Sequence, residues 1–130
     1  MTHFVTFGLD PKVFFLSEIY INVWYNKNMN KSVYSLEYIK NKLSPVFLLY
    51  NVKSAVLFGS YAKGYATEKS DIDLLVDSNL KGLRFFALLE DVKEALDEKE
   101  VDLFDVTHIE AGSKIQNEIN NTGVRIYERY

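Results

Sequence analysis

The sequence has 130 residues, 48% of them hydrophobic and 25% charged, which suits one packed core and leaves no room for two domains of ordinary size. Lys and Arg number 15 against 18 Asp and Glu, so a net charge of −3 supplies no broad basic field and disfavours nucleic acid as a partner. No cysteine is present, which excludes disulfides and thiolate chemistry and suits a reducing cytoplasm.

Residues 1–28 stand apart from the rest of the chain. Val13 to Tyr25 is apolar and aromatic, but thirteen residues are too few to span a membrane. The segment lacks the basic opening and small-residue cleavage site of a secretory signal. Asp10-Pro11 suits a helix start, whereas the aromatic and β-branched content equally suits a strand. Asn26 to Lys31 is polar and reads as a linker. Val33, Leu36, Ile39 and Leu43 then recur at helical spacing, with Ser32 or Ser35 as the cap and a core-facing role for the apolar residues. Pro45 fits the first turn of a continuing or second helix reaching about Tyr50, and Asn51 ends it.

Lys53 to Phe58 reads as a buried strand, followed by a Gly59-Ser60 turn, a short helix to about Gly64 and a loop over Tyr65 to Lys69. A second apolar strand carries Asp71-Ile72-Asp73-Leu74-Leu75-Val76 and ends at Asp77-Ser78-Asn79. Side chains alternate along a strand, so Asp71 and Asp73 share a face, with Cα atoms about 6.6 Å apart at a rise of about 3.3 Å per residue. Carboxylates that close repel each other, and burial pushes one toward protonation. A divalent cation resolves the conflict, and hard oxygen ligands suit Mg²⁺ or Mn²⁺ completed by water and substrate phosphates. Gly59 lets the backbone approach an anion, and Ser60 offers a hydroxyl at the start of a helix. A Gly-Ser pair alone is a common turn and an Asp-x-Asp alone is often a solvated face. Their combination ten residues apart, between two apolar strands, points to a site for a metal-bound triphosphate. Tyr61 and Tyr65 could flank a nucleotide, but packing is the expected role of both.

Leu80 to about Glu98 reads as an amphipathic helix. Leu83, Phe86, Ala87, Leu88, Leu89, Val92 and Leu96 form one broad apolar face, and Asp91, Lys93, Glu94, Asp97 and Glu98 lie toward solvent. Val101 to Val106 is a third strand, in which Asp102 and Asp105 fall on opposite faces, so only one of them can join Asp71 and Asp73. Asp105 reads as a strand-end residue, and neither His3 nor His108 has neighbours of metal-ligand spacing. Ala111 to Asn121 reads as the last helix, with Gly123 as its C-cap, and Val124 to Tyr127 alternates as a short last strand.

Gly59-Ser60, ten residues, then Asp71-Ile72-Asp73 resembles the signature of the nucleotidyltransferase superfamily that includes DNA polymerase β. The fuller wording Phe58-Gly-Ser-Tyr-Ala-Lys-Gly64 and Ser70-Asp-Ile-Asp-Leu-Leu-Val76 looks like the minimal nucleotidyltransferases, the MNT antitoxins that pair with HEPN toxins. The resemblance covers about residues 33–128. It implies an α+β nucleotidyltransferase fold, with a mixed sheet of about four strands and helices mainly on one face. It further implies Asp71, Asp73 and Asp102 as catalytic and metal-holding residues, the last from its Val-Asp-Leu context. Gly59, Ser60, Lys63 and Ser70 would be nucleotide-binding. Many relatives carry Arg where this chain has Lys63, which keeps the charge and loses the bidentate fork.

The activity implied is transfer of AMP from ATP, with two Mg²⁺ ions, to a tyrosine hydroxyl of a HEPN toxin partner. The alternatives are a non-catalytic antitoxin acting by direct binding, and a nucleotidyltransferase for a small molecule. A minimal domain of this kind would start near Ser32, so residues 29–130 are the expected domain. Met29 is then the expected natural start, with residues 1–28 an extension outside the family core. In the competing reading the aromatic segment packs on the domain or on a partner. The expected setting is the cytoplasm, without membrane or nucleic-acid contact.

Overall fold

The computed structural model describes residues 33–129. The apolar segment at 13–25, the linker, Ser32, His3 and the expected domain start at Met29 lie outside the described residues.

Helix α1 spans Leu36–Leu49. The Ser35 hydroxyl accepts from the Tyr38 N–H at 3.0 Å, so Ser35 is the cap. Ile39, Leu43 and Phe47 recur every fourth residue and are fully buried. Val33 and Leu36, expected in the core, are exposed instead because they precede or open the helix, ahead of the turn where its apolar face meets the sheet. Pro45 does not begin a second helix but lies inside this one. Its ring withholds the N–H that Asn41 would receive, and the neighbouring Ser44 hydroxyl donates back to the Lys40 carbonyl at 2.7 Å.

Strand β1 (Ser54–Phe58) leads through helix α2 (Ser60–Lys63) to strand β2 (Ile72–Asp77). Helix α3 (Leu83–Ala95) carries the chain across to strand β3 (Val101–Asp105). A 3-10 turn (Val106–His108), helix α4 (Lys114–Thr122) and strand β4 (Val124–Glu128) complete the described chain. The sheet order is β3-β2-β1-β4, with β1 antiparallel to β2 and β4, and β2 parallel to β3. The parallel pair follows from the α3 crossover, since a hairpin cannot join parallel strands.

Alternation along the strands divides the sheet into two faces. Ala55, Leu57, Ile72, Leu74, Val76 and Val101 pack with α1 and α3 in the main core. Phe58, Leu75 and Phe104 occupy the opposite face under Ile115 and Ile119 of α4. Leu88 and Val92 of α3, and Leu96 just after it, are fully buried. Leu83 and Phe86 are 86% and 57% exposed, against the broad apolar face expected of this helix. At 100° per residue Leu83 falls nearly opposite the Leu88–Val92–Leu96 line and Phe86 well off it. Gly123 is the C-cap of α4, as expected, in an extended conformation. Glycine is needed there for space, because a Cβ would stand 2.5 Å from the Ile119 carbonyl oxygen. No helix among the described residues is long and apolar enough to cross a membrane.

Candidate active site

The two-face division places the carboxylates. Asp73 shares the α4 face with Leu75, and Asp102 shares it with Phe104. The parallel register sets Asp73 directly beside Asp102, while the antiparallel register sets Phe58 beside Asp73. The turn after Phe58 therefore arrives at the Asp73 carboxylate. Asp71 lies just before β2 and is exposed, as is Asp102, while Asp73 is partly buried between them.

Gly59 adopts φ 74° and ψ −153°, a region that essentially only glycine occupies. A Cβ at this position would stand 2.1 Å from Asp73 Oδ2. Gly59 thus serves a close approach to an anionic group, and in this structure that group is the carboxylate of Asp73. Ser60 opens α2, whose first-turn N–H groups have no partner within the helix.

Burial pushes the Asp73 carboxyl up to about 6, and the charges of Asp102, Asp71 and Glu118 add to the rise. The site thus gathers negative charge and leaves one member reluctant to ionise. That is the condition a divalent cation relieves, and the donors are the hard oxygens that Mg²⁺ takes. Among the described residues no three His, Cys, Asp or Glu side chains close around an ion by themselves. Mg²⁺ usually keeps water and substrate phosphates among its ligands. Asp71, Asp73 and Asp102 fit that role as a partial ligand set.

The other residues singled out from the sequence divide. Lys63, at the end of α2, pairs with Glu118 of α4 at 3.5 Å, and its Nζ lies 5.9 Å from the centroid of the Tyr65 ring. The Tyr65 hydroxyl, and after it the Glu118 charge, raises the Lys63 ammonium above its ordinary value. Ser70 is engaged within its loop, where its hydroxyl accepts from the Thr67 N–H at 2.8 Å. Tyr61 is buried, as packing requires, and its hydroxyl has no hydrogen-bond partner among the described residues. Tyr65 does not pack; it is 63% exposed at the rim.

Asp105 is on the face opposite Asp102, and it is more than a strand end. It is 1% exposed and accepts from the Ser78 N–H and hydroxyl at 2.9 and 2.6 Å, and from the Thr107 N–H and hydroxyl at 3.1 and 2.8 Å. His108 Nδ1 accepts from the Asp105 N–H at 3.0 Å, which makes this histidine a cap of the 3-10 turn. Glu118 is the site residue that sequence reasoning missed. It lies in an ordinary polar stretch of α4, and only the packing of that helix on the Phe58–Leu75–Phe104 face brings it to Lys63 and Asp73.

A glycine turn thus closes on an aspartate of the next strand, with a second aspartate abreast on a parallel strand. The family model described as "Polymerase beta, Nucleotidyltransferase" matches residues 37–130, and the chain belongs to that family. Protein adenylyltransferase MntA of Thermococcus cleftensis is 39% identical over 64 residues, covering 48% of this chain and 65% of that protein. A Methanocaldococcus jannaschii protein with the provisional name of protein adenylyltransferase is 51% identical over 39 residues, 30% of this chain and 42% of its own length. The matched stretch thus spans less than two thirds of either relative. Among solved structures, a toxin-antitoxin with AMP-PNP is similar at TM-score 0.57 and 25% identity, covering 69% of this chain and 73% of that one. A complex of tri-AMPylated Shewanella oneidensis HEPN toxin with MNT antitoxin is similar at TM-score 0.53 and 22% identity, over 72% of this chain and 73% of that one, which speaks to the fold alone.

Proposed function

We propose that this protein is a Mg²⁺-dependent protein adenylyltransferase of the antitoxin type, moving AMP from ATP to a tyrosine hydroxyl of a HEPN toxin and so neutralising it. The observation that carries the reading is the convergence of the Gly59 turn, Asp73 and Asp102 at one sheet edge. The adenylyltransferase relative and the toxin-antitoxin neighbour with AMP-PNP support the choice of nucleotide and partner class. The cysteine-free composition agrees with a cytoplasmic setting.

Asp71, Asp73 and Asp102 would hold Mg²⁺, which when bound neutralises charge on the attacking and leaving oxygens. Gly59 and Ser60 cradle the β- and γ-phosphates. Lys63 exchanges Glu118 for phosphate oxygen, and Ser70 fixes the loop that delivers Asp71. The tyrosine oxygen attacks the α-phosphorus, the bond to the β-phosphate oxygen breaks, and pyrophosphate leaves. Asp102, the exposed member of the β2–β3 pair, meets the incoming hydroxyl and takes its proton.

The test is incubation with the partner encoded beside it, Mg²⁺ and each nucleoside triphosphate, read by intact mass. One or more AMP additions on the partner, absent with Asp73→Asn, are expected. A stable complex without any mass increase would overturn transfer in favour of neutralisation by binding.

A further inference from the structure

The opposite end of the sheet carries a cleft of about 690 Å³. Its size falls within the range of small-ligand sites. It is built where three strands begin or end together. The Lys53 N–H donates to the Asp77 carbonyl at 2.8 Å and the Arg129 N–H donates to the Lys53 carbonyl at 2.9 Å, so Lys53, Asp77 and Arg129 stand abreast. Arg84, in the first turn of α3, closes the cleft from the helix side.

The charge of this cleft runs against that of the molecule. Its lining holds three cations, Lys53, Arg84 and Arg129, against one carboxylate, Asp77, in a chain of net charge −3. The ion pairs among the described residues are Lys63–Glu118 and Arg125–Glu128, and none of the three cations joins them. The acids close behind the lining are already engaged. Asp91 accepts a hydrogen bond from the Tyr50 hydroxyl, and Asp105 accepts four donors behind Ser78. Arg129 Nη1 is steadied by Asn51 Oδ1 at 3.3 Å. Asn51 and Asn79, both at φ 57°, add amide groups to the lining. Two guanidinium forks, one ammonium and side-chain amides beside a tyrosine ring form a donor set for phosphate oxygens and a ribose or base.

We propose that this cleft is a second binding site, distinct from the aspartate edge, for the phosphate of a nucleotide, whether free or part of an RNA strand. The site stands on its own residues and does not require the adenylyltransferase reading.

The test uses the full-length protein in amide-resolved NMR titrations with pyrophosphate, AMP and a single-stranded RNA hexamer, without Mg²⁺. Shifts centred on Asn51, Ser78 and Asn79 are expected. Lys53→Gln with Arg84→Gln should weaken binding at least tenfold, while Asp73→Asn leaves it unchanged. RNA binding at least tenfold tighter than AMP identifies a strand as the source, with affinity falling with salt by a log–log slope of about −0.7 per phosphate engaged. Equal binding identifies the free nucleotide. Shifts confined to Gly59–Lys63, no shifts with any probe, or full binding by the double variant would overturn the proposal.

Discussion

Asp73 is held against its own ionisation by burial and by Asp102, Asp71 and Glu118. Its folded value of about 6 lies above the ordinary 3.8, so the folded chain binds this proton more tightly than the unfolded one. Its contribution therefore favours folding in acid, and the folded state loses stability as pH rises from about 4 to about 6. Asp73→Asn keeps the shape and removes the charge. Near neutral pH, with chelator present, the variant should be more stable by about 1 kcal/mol once solvent screening of a partly exposed group is allowed for. Urea midpoints near pH 4 and pH 7.5 give the measurement: a gain at the higher pH only, together with loss of transfer, is expected. A variant less stable than wild type near neutral pH would contradict this account of the site. Gly59→Ala should act in the opposite sense. It must enter a backbone region closed to alanine and meet Asp73 Oδ2, so a loss of roughly 2–4 kcal/mol with no transfer is expected in the same unfolding assay.

At the scale of elements, Asp105 joins the ends of β2 and β3 to the 3-10 turn. Burial alone would raise its carboxyl, but the hydrogen bonds from Ser78 and Thr107 outweigh burial and hold it below its ordinary value. A depressed folded value contributes stability that is present above the unfolded pKa and is lost as the pH falls through the folded one, the reverse of Asp73. Asp105→Ala strands the Ser78 donors in the interior and should cost roughly 2–4 kcal/mol near neutral pH, with a smaller deficit in strong acid. Denaturation of variant and wild type across that pH range checks both parts. Sequence periodicity put Asp105 on the face away from Asp102 but could not show its full role, since its partner Thr107 is local whereas Ser78 meets it only through the folded β2–β3 pair. The same limit explains Leu83 and Phe86. Helical period marks apolar positions, whereas the sheet decides which of them it covers, and here it reaches Leu88, Val92 and Leu96. Gly59, Asp71 and Asp73 were legible because their spacing is local to one strand–turn–strand unit. Glu118 was not, because its place depends on how α4 lies across that unit.

Across the whole molecule the sheet separates charge. Its aspartate edge gathers Asp71, Asp73 and Asp102, and its opposite end gathers Lys53, Arg84 and Arg129. The acidic edge is a source of instability in the free protein, and a cation bound with its nucleotide should turn it into a source of stability. A ligand at about 100 times its dissociation constant that binds only the folded state adds about 2.7 kcal/mol. For a domain of this size that shifts the melting midpoint by on the order of 10 °C. Mg²⁺ with ATP should raise the midpoint by that amount, Mg²⁺ alone by less, because Mg²⁺ usually takes substrate phosphates among its ligands. Lys53→Gln with Arg84→Gln, which removes two cations from the cleft at the other end of the sheet, should keep most of the response to Mg²⁺ with ATP, and adding Asp71→Asn with Asp73→Asn to that variant should abolish it. Differential scanning of the three proteins with each addition separates the two ends. A Mg²⁺–ATP response that survives loss of both aspartates in the variant that already lacks Lys53 and Arg84 would mean that the nucleotide is held away from the β2 edge and from the cleft, and would remove the physical basis for reading Gly59, Asp73 and Asp102 as one catalytic unit.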